Sequence, residues 1–229
     1  MAPAIAPVQT SANFPPRTTV VIIGGGIVGL TAALTLAERN IPVVVLEKGR
    51  IAGEQSSRNL GRVRKTSRLA EDIPLAQAAD RLWAEMPARV GSDVGYRQAG
   101  IMFAARTEAQ MAMYEGWLKS VSSLHLDSHL LSAQQIAAQV PGGGSQWSGG
   151  IFTPSDGRAE PTLASSAIAR AAMAKGAVIV EHSAVRTLST TAGRVTGVVT
   201  ERGEIRCEQG LVAGRIWPRR VGRASGWDR

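Results

Sequence analysis

The sequence predicts an α/β fold that opens with a parallel βαβ unit. Three observations support this prediction: two short apolar runs, a helical segment between them, and a glycine-rich turn that starts the helix. The apolar runs are rich in Val and Ile, as buried parallel strands are. In chain order the segments are strand 20–23, the turn Gly24-x-Gly26-x-x-Gly29, helix 27–39 and strand 43–46, which ends at Glu47.

Each glycine of this turn meets a requirement of a bound dinucleotide. Gly24 permits the tight strand-to-helix turn, Gly26 allows the pyrophosphate to approach the backbone, and Gly29 lets helix and strand pack closely. The free N–H groups and the positive end of the helix dipole attract the diphosphate. Glu47 can accept hydrogen bonds from ribose hydroxyls, and its charge would repel the 2′-phosphate of NADP. The segment therefore predicts a Rossmann-like dinucleotide site.

The rest of the chain has helices first and strands later. Apolar spacing predicts the helices, and clusters of glycine and serine predict the loops. Two of the late strands are joined by a turn at Arg202-Gly203. The predicted helices are 74–90, 107–120, 132–139 with Ser132 as its cap, and 161–175; the loops are 49–63 and 141–150; the strands lie within 94–105 and at 177–181, 194–201, 204–208 and 211–214.

Length and composition limit the class of protein. The 229 residues, 44% of them hydrophobic, suffice for one large domain or two small ones, and no apolar run is long enough to span a bilayer. Residues 1–17 are rich in Ala and Pro, lack the features of a secretory signal and predict a flexible leader. The single cysteine, Cys207, excludes an internal disulfide and is compatible with a reducing cytoplasm, which is the expected location.

The net charge of +8 does not predict a nucleic-acid partner, because of where the charge lies. Residues 215–229 hold five arginines and one aspartate, which contribute 5 − 1 = +4. A second basic cluster lies at 58–68. A surface that binds single-stranded nucleic acid needs aromatic side chains to stack the bases, and this cluster has none. We therefore expect a small-molecule substrate rather than nucleic acid, and the sequence leaves the oligomeric state open.

Two further segments carry distinctive motifs. Residues 53–61 read Gly-Glu-Gln-Ser-Ser-Arg-Asn-Leu-Gly, and residues 149–161 contain Asp-Gly-Arg-Ala-Glu-Pro. Together with Gly-Gly-Gly-Ile-Val-Gly at 24–29 and Glu-Lys at 47–48, they resemble the D-amino-acid oxidase and sarcosine oxidase (DAO) family. Members of this family are FAD-dependent amine oxidases and dehydrogenases. The resemblance runs from about residue 18 to residue 214.

The resemblance implies FAD as the cofactor and assigns roles by position. Gly24, Gly26 and Gly29 would hold the pyrophosphate, and Glu47 the adenosine ribose. The backbone of Val185 would meet the adenine. Hydroxyl and amide donors and one guanidinium in the loop after Gly53 would neutralise the diphosphate. The loop residues that the resemblance places along the phosphates and the ribityl chain are Ser56, Ser57, Arg58, Asn59 and Gly61.

The family also implies a domain organisation. A Rossmann-like FAD-binding domain is interrupted by an inserted α+β substrate-side domain, and it is incomplete at the carboxy terminus. The predicted divisions are the leader 1–17, the FAD-binding domain 18–73 and 150–214, the partial substrate domain 74–149, and an aberrant basic tail 215–229.

The implied reaction oxidises the C–N bond of an amino acid or secondary amine. Hydride passes from the carbon that bears the amine to FAD, and water hydrolyses the resulting imine. A guanidinium that pairs with a substrate carboxylate is the usual requirement, and Arg64, Arg97 and Arg158 are candidates by residue type. No catalytic residue is assigned. His125 and His129 have the i, i+4 spacing of helical metal ligands, but no third ligand accompanies them, so no metal site is predicted.

The carboxy terminus departs from the family's pattern. Leu-Val-Ala-Gly at 211–214 fits a strand that returns to the nucleotide domain, whereas 215–229 lacks apolar periodicity and is rich in Arg, Gly and Trp. We interpret this change as a frameshift or truncation near Gly214; a short variant with a disordered basic tail is the alternative. Three functions follow: an FAD-dependent amine oxidoreductase, a non-catalytic remnant with at most nucleotide binding, and an NAD-dependent dehydrogenase.

Overall fold

The structure, a computed structural model, describes residues 4–141 and 146–214. Within these ranges the chain forms two compact units. The first comprises the chain up to Asn59, Val90–Val94 and the chain from Pro161 onward, and the second comprises Leu60–Arg89 and Gly95–Glu160. The basic tail predicted at 215–229 lies outside the described residues.

The elements follow one another in the order that an α/β fold with an inserted α+β region requires. The strands are β1 Val20–Ile23, β2 Val43–Leu46, β3 Arg62–Val63, β4 Ile101–Ala105, β5 His129–Ser132, β6 Gly149–Thr153, β7 Gly157–Arg158, β8 Val178–Val180, β9 Thr187–Thr191, β10 Arg194–Thr200, β11 Gly203–Arg206 and β12 Gln209–Val212. The helices are α1 Ile27–Glu38, α2 Ile73–Val90, α3 Glu108–Ser120, α4 Ala133–Gln139 and α5 Pro161–Ala174.

The first unit is built on a parallel sheet with the strand order β12-β1-β2-β8. α1 packs on β1 and β2 and against α5. Because neighbouring side chains of a strand point to opposite faces, Ile22 faces α1 whereas Val21 faces away from it. On that second face, the antiparallel sheet β9-β10-β11 adds Val198 and Ile205 to the core that contains Val21. Burial on both faces explains why β1 and β2 are continuous apolar runs.

The second unit contains an antiparallel sheet in the order β4-β6-β5 and a short ribbon formed by β3 and β7. α3 and α4 pack against β6. The cap predicted at Ser132 is confirmed: its hydroxyl accepts the amide of Gln135, and the Gln135 side chain accepts the amide of Ser132. This reciprocal capping box explains why so short a helix starts at Ala133.

Part of the segment predicted as a flexible leader makes hydrogen bonds with the first unit, and its flexibility stays a prediction. The amide of Ala6 donates to the carbonyl of Thr162 at 3.2 Å, and the amide of Ser11 donates to the carbonyl of Ile179 at 2.8 Å. The hydroxyl of Ser166 donates to the carbonyl of Ala6 at 2.7 Å. Ala6 thus lies beside α5 and Ser11 beside β8, because these backbone groups find partners there.

The five predicted helices agree with the structure to within one residue at each end, and the strands at 20–23 and 43–46 are confirmed. The predicted loops 49–63 and 141–150 were wrong in part, since they contain β3 and the start of β6. The predicted domain limits also differ from the compact units. Residues 60–73 and 150–160 lie in the second unit, where β3 pairs with β7 and β4 pairs with β6.

Candidate functional site

The turn between β1 and α1 has a backbone path that only glycine allows. Gly24 has φ +115°, and a Cβ atom there would lie 3.0 Å from the carbonyl group of Ala213. A Cβ atom on Gly29 would overlap the carbonyl oxygen of Gly24. Gly24 therefore permits the end of β12 to approach the turn, and Gly29 permits α1 to approach β1.

The amides at the start of α1 differ in whether they have a hydrogen-bond partner. Ile27 donates its amide to the hydroxyl of Ser56 at 2.9 Å. The amides of Gly26 and Val28 have no hydrogen-bond partner among the residues that the structure describes. The first turn of a helix leaves such donors unsatisfied, and the helix dipole adds positive potential. Two free amides at this position are what a diphosphate requires.

Glu47 is held in place by two backbone amides, one in the same turn and one in the segment after β2. Its Oε2 accepts the amide of Gly25 at 2.8 Å, and its Oε1 accepts the amide of Gly49 at 2.8 Å. A carboxylate has about four lone-pair sites, so each oxygen keeps capacity for another donor. The side chain is thus oriented beforehand, with acceptors left for the two hydroxyls of a ribose.

Ser56 brings a distant loop to the start of α1. Its Oγ lies 3.0 Å from where a Cβ atom on Gly26 would stand, so a larger residue there would compress the contact. A hydroxyl that accepts a hydrogen bond from Ile27 still has its own proton to donate. Ser56 therefore both caps the helix and presents a donor beside the free amides.

A cavity of about 660 Å³ opens at this helix terminus. This volume is within the range of cofactor and ligand sites. The predicted site residues that line it are Gly24, Gly26, Glu47, Ser56 and Asn59. The remaining lining residues are Ile27, Val28, Lys48, Glu54, Gln55, Val212, Ala213 and Gly214.

The other predicted site residues do not line the cavity as the structure describes it. Gly29 lies beneath the turn, as described above. Ser57 is buried and donates to the carbonyl of Glu54 at 3.4 Å. The side chain of Val185 packs against the core of the first unit, and Gly61 belongs to the second unit with φ +65°. Their roles at the cofactor stay predictions.

Arg58 is the predicted residue whose charge is already engaged. Its Nη1 lies 3.4 Å from a carboxylate oxygen of Glu54, and its Nη2 donates to the carbonyl of Gly53 at 3.0 Å. Glu54 also lies 3.9 Å from the ammonium of Lys48. Exposed pairs of this kind contribute about 0–1 kcal/mol, so a phosphate can compete for the guanidinium. Lys48 and Glu54 adjoin predicted residues, but sequence reasoning did not select them.

The second unit gathers arginines on one face of the β3–β7 ribbon. Arg62 and Arg64 are two residues apart, and each guanidinium carbon lies 5.6 Å from the ring centroid of Phe103. Arg158 stands directly opposite Arg62 and is paired on its other side with Arg97. Of the three candidates for carboxylate binding, the strand register thus pairs Arg97 with Arg158, whereas Arg64 follows Arg62 at the end of the neighbouring strand. No acidic side chain within the described ranges lies within 4.0 Å of the guanidinium of Arg62, Arg64 or Arg158.

Two groups in this unit have shifted pKa values. Burial, followed by the charges of Arg68 and Arg62, lowers the pKa of the Arg64 guanidinium. Burial, followed by a hydrogen bond of 2.8 Å to Asp80, raises the pKa of Tyr96 to about 12. A bound anion would be stabilised near these arginines, because several positive charges lie close together with few acidic side chains beside them.

The histidine pair is not arranged as its spacing suggested. His125 has φ +50° after a short 3₁₀ turn, and His129 begins β5, so the two do not share a helix face. Within 4–141 and 146–214, no group of three or more His, Cys, Asp or Glu side chains is arranged to hold a metal ion. Over the same ranges, no helix has the length and apolar character needed to cross a membrane.

Comparison with known proteins places these features in a family. A family model described as "FAD dependent oxidoreductase" (DAO) matches residues 19–226. Glycine oxidase of Geobacillus kaustophilus is 27% identical over 90% of this chain and 56% of its own length. The mitochondrial pyruvate dehydrogenase phosphatase regulatory subunit of Mus musculus is 24% identical over 93% of this chain and 24% of its own length.

A solved structure shows the same relation in three dimensions. The L-amino acid deaminase from Proteus myxofaciens, solved in complex with anthranilate, superposes with a TM-score of 0.88 and is 32% identical. The match covers 95% of this chain and 50% of the deaminase. The chain thus spans between a quarter and just over half of the length of these relatives.

Proposed function

The chain belongs to the DAO family of FAD-dependent oxidoreductases, and from this premise we propose that it binds FAD at the amino terminus of α1 and oxidises the C–N bond of a small amino acid or secondary amine. The observation that carries the proposal is the set of free amides beside the oriented carboxylate of Glu47. A dinucleotide needs both, because the helix amino terminus holds its diphosphate and the acid after the second strand accepts hydrogen bonds from its ribose.

The residues present fit FAD better than NADP. The amides of Gly26 and Val28 and the hydroxyl of Ser56 would hold the pyrophosphate, and Glu47 would accept the ribose hydroxyls. A 2′-phosphate beside the Glu47 carboxylate would meet an uncompensated negative charge. When bound, FAD supplies a two-electron acceptor for hydride from the amine-bearing carbon. The protein's own contribution is binding and orientation.

The arginine face of the second unit supports an anionic amine as substrate. Arg64 combines partial burial, an aromatic neighbour and the absence of an acidic partner among the described residues. A guanidinium in this state gains from a carboxylate that can take two parallel hydrogen bonds. We assign Arg64 as the first candidate for recognition of the substrate carboxylate, and Arg158 and Arg97 remain the other two candidates.

A flavin titration tests the cofactor assignment. The full chain is purified, its absorbance spectrum is recorded, and quenching of FAD fluorescence is followed against matched titrations with NAD⁺ and NADP⁺. We expect FAD to bind and NADP⁺ not to bind. Binding of NAD⁺ with no binding of FAD would instead identify an NAD-dependent dehydrogenase and would contradict the proposal.

A second experiment tests the reaction itself. Amino acids and N-methylated amines are added to the FAD-loaded chain without oxygen, and loss of flavin absorbance reports reduction. Bleaching supports an amine oxidoreductase. FAD that binds but is never bleached supports the second candidate, a nucleotide-binding protein without catalysis. That candidate draws support from the relative whose name describes a regulatory subunit. The cytoplasmic location stays a prediction.

A further inference from the structure

Asp156 is a fully buried carboxylate in the turn between β6 and β7. Its Oδ1 accepts the amide of Lys65 at 2.7 Å, and its Oδ2 accepts the amide of Thr66 at 3.1 Å. The hydroxyl of Thr66 also donates to Oδ2. A buried charge requires such compensation. The carboxylate thereby fixes two consecutive residues just after β3.

Arg64 directly precedes this fixed pair. Its Nη1 donates to the carbonyl oxygen of Thr66, so the side chain folds back onto the peptide that Asp156 holds. On its other side the guanidinium faces the ring of Phe103. The position of the Arg64 guanidinium therefore depends on Asp156 through one intermediate residue, Thr66.

A neighbouring ion-pair network leaves negative charge at Asp156. The ammonium of Lys65, which is 4% exposed, lies 2.7 Å from Asp80 and 3.3 Å from Asp156. One ammonium and two carboxylates leave a net charge of 1 − 2 = −1 within this group. That charge favours the cationic form of Arg64 and opposes the repulsion from Arg62.

We propose that Asp156 is a positioning residue, which fixes the guanidinium of Arg64 so that it presents its outer N–H groups to an anion. The carboxylate-binding part of this inference rests on the proposed function; the positioning part does not. Geometry supports the assignment, since Asp156 is fully buried, holds the two residues that follow Arg64 and reaches the Arg64 guanidinium through the peptide of Thr66.

Chemical labelling tests the positioning directly. The full chain reacts with phenylglyoxal, and mass spectrometry of peptides measures the rate at each arginine. In Asp156→Asn we expect Arg64 to react severalfold faster, because the Thr66 peptide that anchors its guanidinium is released and the nearby negative charge is removed. Arg158, which is exposed on the same ribbon, should keep its rate. An unchanged rate at Arg64 would overturn the proposal.

Two further variants separate positioning from general damage. Asp127→Asn removes a carboxylate that lies before β5 and contacts the same turn, where it accepts the amide of Ser155 at 2.8 Å, and it should leave Arg64 unaffected. Thr66→Val removes the hydroxyl that donates to Asp156 and serves if Asp156→Asn does not fold. If the labelling rate of Arg64 rises equally in Asp127→Asn and Thr66→Val, the cause is a general loosening of the turn, and this result would count against the proposal.

Binding of anthranilate, the carboxylate in the solved deaminase complex, tests the consequence for recognition. Its affinity is measured by calorimetry for Asp156→Asn in the unsubstituted and in the Arg64→Ala background. We expect a loss of about tenfold only where Arg64 is present. Equal losses in both backgrounds contradict positioning through Arg64. If the unsubstituted chain does not bind anthranilate, carboxylate recognition fails, whereas the labelling rates still decide the role of Asp156.

Discussion

Gly29→Ala is the most direct test of the nucleotide site, because one methyl group perturbs a single well-defined contact. A Cβ atom at this position would lie 2.1 Å from the carbonyl oxygen of Gly24, whereas real Cβ atoms keep about 3.0 Å. α1 must therefore retreat by about 0.9 Å, or the turn must deform by as much. Overpacking of this size costs about 1–3 kcal/mol, and we expect a loss near the upper end, since the atom that the methyl group meets belongs to the backbone.

The same displacement moves the amides of Gly26 and Val28 away from the diphosphate. We expect FAD affinity to fall by at least about tenfold, which is about 1.4 kcal/mol. Urea unfolding measures the stability of the chain, and quenching of flavin fluorescence measures affinity. The matched control is Gly116→Ala in α3, where a Cβ atom meets nothing within 4 Å and should add about 0.5–1 kcal/mol of stability. Normal stability and affinity in Gly29→Ala would refute the reasoning.

Three other predictions concern single contacts. Glu47→Gln should weaken FAD binding about tenfold in a fluorescence titration, because the amide keeps one acceptor oxygen and loses the charge; an unchanged affinity would contradict ribose recognition here. Ser56→Ala should lower the free energy of unfolding by about 1 kcal/mol, because the amide of Ile27 loses its hydrogen-bond acceptor. The same variant should weaken FAD binding. A loss of stability with unchanged FAD affinity would show that Ser56 does not contact the cofactor. Tyr96 has a pKa raised from 10.0 to about 12, so the folded chain retains a proton that the unfolded chain loses; its stabilising contribution is complete below about pH 10 and is lost as pH rises toward 12. Urea unfolding of Tyr96→Phe should therefore show a smaller loss of stability across that interval than the unsubstituted chain does, and equal losses would argue against the shift.

Prediction of the fold succeeded where the pattern is local and long. α1, α3 and α5 carry several turns of apolar spacing, and β1 and β2 are continuous apolar runs. β3 and β7 have two residues each, which is too short for any periodicity. β6 begins with Gly149 and Gly150 in a segment whose composition indicates a loop. Its glycines are needed because a Cβ atom on Gly150 would overlap the carbonyl oxygen of Phe103 on β4, a contact that sequence spacing does not reveal.

Within the site, the sequence by itself determined the turn at Gly24, Gly26 and Gly29 and the acid at Glu47. These residues lie within one βαβ unit, so the covalent chain and the hydrogen bonds of its secondary structure largely fix their relative positions. From the motifs the sequence also identified the family, which comparison confirmed.

Only the tertiary structure decided which loop residues line the cavity at the start of α1. Ser56 reaches the start of α1 across 29 positions, whereas Arg58 turns to Glu54 and Ser57 is buried. Asp156 reaches the segment after Arg64 across 90 positions or more. Such contacts depend on how β3, β6 and β7 pair and on which buried charges must be compensated. The sequence shows which residues carry hydrogen-bond donors and acceptors, but it does not show which of them pair. Pairing depends on the fold, because an unpaired polar group costs free energy only where the fold buries it.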